Sequence, residues 1–224
     1  MLFSMVNRSM MSRLMRGLVF FIGSMLLAGA CIWGVCWVDS WWLSLFWMLV
    51  VSIVLAVLIH GKVSRLSTSL LWKAVIPSVL AGMIVSVGVM LLSLWRGSNT
   101  VLFVSLVAIM AGHLYIALPA TLQAFMGSLR HTKEHIIYMK SNGATHMESM
   151  MPSIVRGLRA AVLPLLRSWI SPMVITLPLL LCGLLMAGTD IPLAVLLTVL
   201  TTLAAFVGVV SAAVVLIWLV DLWK

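Results

Sequence analysis

Six stretches of this chain are too long and too apolar to be at home in water. They cover roughly residues 17–38, 41–60, 74–95, 100–128, 169–188 and 192–220. A helix needs about 20 apolar residues to cross ~30 Å of hydrocarbon. The runs are continuously apolar rather than alternating, which predicts helices and excludes barrel strands. Soluble domains hold about 25% charged residues, whereas this chain holds 8% charged and 63% hydrophobic residues. That balance, with a mean hydropathy of +1.22, excludes a soluble globule and a disordered tail. The expected fold is an all-α, polytopic transmembrane helical bundle of about six spans, one domain over residues 1–224. Arg8, Arg13 and Arg16 precede the first run as they would in a signal peptide. That run is too long for an h-region, and it leads into Trp-rich sequence rather than a cleavage site, so it is read as a retained first span.

The net charge of +9 could suggest nucleic acid as a partner. The cations lie between apolar runs rather than on one soluble face, so no nucleic acid is expected and the charge is read as topology. With the N-terminus inside, thirteen Lys and Arg fall on the inner side and Arg96 alone falls outside. By the positive-inside rule both termini are cytoplasmic. The expectation is a multi-pass protein of the cell (inner) membrane. Trp37, Trp41, Trp42 and Trp95 fall at the outer interface, and Trp72, Trp169 and Trp223 at the inner one, a depth that indoles favour. The outer connections are very short, so function is expected in the membrane or on the cytoplasmic side.

Residues 129–168 break the pattern, with six basic residues, two acids and three histidines. They form the one long cytoplasmic loop and read as helix, turn, helix. Arg130 to Ser141 is the first helix and Asn142-Gly143 the turn. Thr145 is an N-cap with Glu148 three residues on. Pro152 and Pro164 bend or delimit the second helix. A capped helix pair is more than a linker needs, so a docking surface for a cytoplasmic partner is expected.

Small residues at four-residue spacing mark close helix contacts within the membrane. They are Ser78, Gly82 and Ser86; Ala204, Gly208 and Ala212; Ala108 and Gly112; and Gly183 and Ala187. His113 is the one ionisable residue well inside a span, which makes it either a pathway residue or a structural hydrogen-bond partner. Cys31, Cys36 and Cys182 lie in apolar stretches and read as packing, as do most of the 17 methionines. His131 and His135 share i, i+4 spacing on a solvated face, and no metal site is assigned. The chain has no phosphate loop, H-E-x-x-H or G-x-S-x-G. No catalytic residue and no cofactor are expected, the chain is not read as an enzyme, and any ATP must be bound by another chain.

The segment from Tyr138 to Leu193 resembles the FetB/YbbM-type permease family, membrane subunits of ABC transporters linked to iron export. Glu134 and Gly143-Ala144-Thr145 match the family's acidic residue and its L-G-A-T/S. Leu177-Pro178, Gly183, Ala187-Gly188 and Pro192-Leu193 match the following span and turn. Gly112-His113 falls where the family has Gly-Asn, and Arg16 where it has an Arg ahead of a span. Leu179-Leu180-Leu181-Cys182 replaces the family's G-M-M-T, and Leu184 its Gln. The family's additional N-terminal span is expected to be absent. The resemblance implies an ABC permease subunit, with iron as the cargo and with membrane lipid around it. It pairs with a second copy of itself and is driven by a separate ABC ATPase subunit. It also implies ATPase coupling through Glu134, Gly143, Ala144, Thr145 and Glu148 on a coupling helix pair. His113, Pro178 and Gly183 would line a pathway. The apolar replacements keep a second cargo class open, a lipid-like one. A non-transporting anchor for a cytoplasmic partner is the third reading.

The charge bias makes a direct prediction. A single Cys at Ser141, in a chain without its native cysteines, stays unlabelled by an impermeant thiol reagent in intact cells. It becomes labelled once the membrane is permeabilised. Strong labelling of intact cells would reverse the orientation.

Overall fold

The computed structural model describes residues 40–63, 68–93, 100–170 and 176–222, with scattered helical positions between 15 and 38. The continuous helices among them are α1 (Trp41–Lys62), α2 (Thr68–Ser93), α3 (Thr100–His131), α4 (Lys133–Ser141), α5 (His146–Ile170), α6 (Thr176–Met186) and α7 (Ile191–Leu222). Four of these, α1, α2, α3 and α7, are long and apolar enough to cross a membrane. The chain is therefore a helical membrane protein.

The expected span at 17–38 lies largely outside the described residues. The one at 169–188 lies partly outside the described residues, with α5 described to Ile170 and α6 from Thr176. Gly188, at φ 83°, stops α6. Its N–H reaches the Leu185 carbonyl at 3.0 Å and the Thr189 N–H reaches the Leu184 carbonyl at 3.2 Å, the paired bonds of a Schellman end.

The centre of the bundle is the crossing of α2 on α7, its most extensive helix contact. The Ser78, Gly82, Ser86 ladder meets the Ala204, Gly208, Ala212 ladder there. A Cβ on Gly208 would stand 1.6 Å from Ser86 Oγ and 2.8 Å from the Gly82 carbonyl oxygen. One on Gly82 would stand 2.7 Å from Ala212 Cβ and 3.2 Å from Leu114 of α3. Helix α1 covers α2 and α3 on one side, and α5 covers α3 and α7 on the other. The other two ladders pack against nothing comparable among the described residues, where Cβ atoms on Gly112 and Gly183 would meet no atom within 4 Å.

Several buried hydroxyls are satisfied within their own helices. Ser52, Ser86, Thr121 and Thr198 each donate to the carbonyl four residues back, at 2.7–2.8 Å. Such bonds hide a polar group from lipid without a partner helix. Prolines sit inside α2 (Pro77), α3 (Pro119) and α5 (Pro152 and Pro164). The α5 helix runs through both of its prolines, so neither one delimits it.

Gly208→Ala should separate α2 from α7 and destabilise the protein by about 1–3 kcal/mol. Ser86→Ala in that background should restore part of the loss, since Ser86 Oγ is the nearest obstacle. Gly88→Ala, where a Cβ meets open space, is the neutral control. Thermal unfolding in detergent reads all three, and equal stability of Gly208→Ala and wild type would refute the crossing.

Candidate functional site: the α4–α5 hairpin

The chain leaves the bundle at the end of α3 and turns back. One residue, Thr132, separates α3 from α4. Its hydroxyl donates to the Ser128 carbonyl at 2.7 Å, and the Ile136 N–H reaches the Thr132 carbonyl at 2.9 Å, so α4 nearly continues α3. No residue of α4 is buried. Ile137 and Tyr138 are 59% and 65% exposed, which leaves a large apolar surface without cover. Glu134 sits in the first turn of α4, where a carboxylate complements the helix dipole.

The turn has the predicted chemistry. Gly143 has φ 89°, a left-handed conformation open to glycine and costly for a β-branched residue. Its N–H bonds the Lys140 carbonyl, and the Ala144 N–H bonds the Met139 carbonyl, both at 3.1 Å. Helix α5 then opens with a capping box. The Thr145 N–H donates to Glu148 Oε2 at 2.8 Å, and the Glu148 N–H donates to Thr145 Oγ1 at 3.3 Å. The Thr145 N–H first, and its side chain second, hold the Glu148 carboxyl below the usual carboxylate range.

The rest of the hairpin departs from a free loop. Ser149, Met150, Ser153, Ala161 and Leu165 are buried, and they face α3 and α7. Ser128 and Ser153 hydroxyls lie 3.0 Å apart. A Cβ on Gly157 would stand 3.2 Å from Phe125 Cβ and 3.1 Å from Ile217 Cδ1. Helix α5 thus runs antiparallel along the C-terminal half of α3, with Arg156, Arg159 and Arg167 on its exposed side.

The hairpin is also tied to the last turn of α7. His146 Nε2 lies 3.0 and 3.1 Å from the two carboxylate oxygens of Asp221. Sequence reasoning missed this pair because the partners are 75 residues apart. A histidine just inside a cap and an acid ending an apolar run were the available signals. Also missed were Lys62, whose Nζ stands 3.6 Å from the centre of the Tyr115 ring, and His60. The His60 Nδ1 is buried without a hydrogen-bond partner among the described residues, and its ring lies 5.9 Å from that of Trp72.

Of the residues singled out in the sequence, Gly143, Ala144, Thr145 and Glu148 come together at the turn, with Glu134 at the other end of α4. The proposed pathway residues are not brought to them. His113 is half-buried on α3, eighteen residues before His131 and so about 27 Å along the helix. Pro178 and Gly183 belong to α6, which packs on α7. Among the described residues no three His, Cys, Asp or Glu side chains come together.

The capping box predicts a pH dependence. A carboxyl held below its unfolded value stabilises the fold above that value, and the contribution is lost as pH falls through the lowered one. Amide-exchange protection in the first turn of α5 should therefore fall as pH drops through and below the ordinary carboxylate range. Glu148→Ala should remove that dependence at every pH; an unchanged profile in the variant would assign it to another group.

No curated protein and no solved structure matches this chain. One family model does, described as "Uncharacterised protein family (UPF0014)", over residues 3–222. With all but the first two and last two residues matched, the chain belongs to the UPF0014 family.

Proposed function

We propose that this chain is the permease subunit of an ABC-type transporter, driven by an ATPase on a separate chain. The observation that carries the reading is the α4–turn–α5 hairpin. It projects an unburied helix with exposed Ile137 and Tyr138, yet its turn, cap and bond to α7 are rigidly made. A solvated linker has no use for that combination. A partner that must push on the membrane helices needs both an exposed apolar contact and a stiff connection behind it.

In this reading ATP is hydrolysed in the partner chain and the permease itself is not an enzyme. The protein sits in the inner membrane with the hairpin in the cytoplasm. Two copies face each other, because one bundle of this size is small for a route across the membrane. Iron export is the cargo and direction that the FetB/YbbM resemblance implies, and UPF0014 membership supports the permease class.

The test is recovery of the ATPase subunit by the solubilised permease. Gly143→Val forces a β-branched residue into φ > 0, at about 1–2 kcal/mol, and should lower recovery of the partner. Glu134→Ala should lower recovery or uncouple ATP hydrolysis while leaving insertion intact. Wild-type recovery and coupling in both variants, at equal membrane expression, would remove the hairpin from the docking role.

A further inference from the structure

We propose that the inner ends of α3, α5 and α7 form a binding site for an anionic phospholipid. The headgroup lies against Arg130 and Lys133, and an acyl chain lies between α5 and α7. Two adjoining grooves carry the inference. The first, about 520 Å³, is lined by Arg130, Lys133, Ile136, His146, Asp221 and apolar neighbours, within the size range of small-ligand pockets. The second is lined by Met150, Ile154, Leu158, Val214, Ile217 and Trp218 and shares Met150 and Asp221 with the first. One groove is cationic and the other apolar, and they meet. That is the shape of an amphiphile.

The charge balance selects the headgroup. Arg130 and Lys133 are three residues apart across the Thr132 joint, and neither is in an ion pair among the described residues. Asp221, the one acid on the groove, has both its oxygens beside His146 Nε2. The net field is therefore positive. An Arg fork and a Lys ammonium suit the two free oxygens of a phosphodiester. Depth selects lipid over a soluble anion. The charge-free part of α3 ends at Arg130 and that of α7 ends at Asp221, so the cationic groove lies where hydrocarbon gives way to water. The apolar groove runs from there back along the spans. Trp218 on its wall is 58% exposed, as an interfacial indole would be. Basic pockets between helices at the cytoplasmic face recognise lipid headgroups in this way.

The test uses the purified full-length chain in detergent and no ATPase, so its outcome is independent of the permease reading. Native mass spectrometry compares retention of phosphatidylglycerol with that of phosphatidylcholine of the same chains. Wild type should prefer phosphatidylglycerol, and Arg130→Gln with Lys133→Gln should cut that preference by roughly thirtyfold, about fivefold per cation. Ile154→Trp, which fills the apolar groove, should weaken both lipids. Arg156→Gln with Arg159→Gln, on the exposed side of α5, should change neither. Equal retention of the two lipids would overturn the proposal. So would equal losses from the two double variants, which would mean bulk charge alone. Displacement by millimolar inorganic phosphate would reassign the site to a free anion.

Discussion

The contact of α2 with α7 at Gly82 and Gly208 sets the positions of every other helix. In lipid, apolar side chains gain nothing by leaving their surroundings, so helices associate by approaching closely. Two glycines facing each other bring the backbones near enough that either Cβ would strike a carbonyl oxygen. Leu114 of α3 fills the remaining side of the same point. The crossing therefore fixes three helices at once. The α1 and α5 helices then cover the two flanks of α3, each against one of the crossing pair.

Polar chemistry is divided along the bundle. In the middle, hydroxyls turn back onto their own helices, and Ser52 also reaches a neighbour, Met83 Sδ, at 3.1 Å. At the hairpin end the polar bonds cross between helices, Ser128 to Ser153 and His146 to Asp221. The spans are thus held by shape, and the hairpin is held by directional bonds. A hydrogen bond fixes an angle that dispersion does not, so geometry is defined most sharply at the hairpin end.

The parts of the fold legible in the sequence are those set by local chemistry. The Thr145–Glu148 box and the positive φ of Gly143 follow from neighbouring residues alone, and the structure has both. The small-residue ladders were legible as faces but not as pairs. Four-residue spacing says that a helix can be approached closely, not by which neighbour, and Gly112 and Gly183 found none among the described residues. In its packing, the stretch 129–168 was the least legible. Its charges marked it as solvated, but Arg156, Arg159 and Arg167 occupy one side of α5. Ser149, Ser153, Gly157, Ala161 and Leu165 recur every four residues on the other side, an amphipathic stripe that announces a packed helix. The His146–Asp221 bond was invisible because nothing local requires it.

Gly157 gives α5 a mechanical property. The helix lies close to its neighbours there, against Phe125 and Ile217. From Gly157 it extends about 16 Å to His146 and about 20 Å to Ile170. The helix is also bonded at its His146 end to Asp221 of α7, so a push on the turn at Gly143 is passed directly to the last turn of α7. In sequence the Ile170 end leads toward α6, which packs on α7.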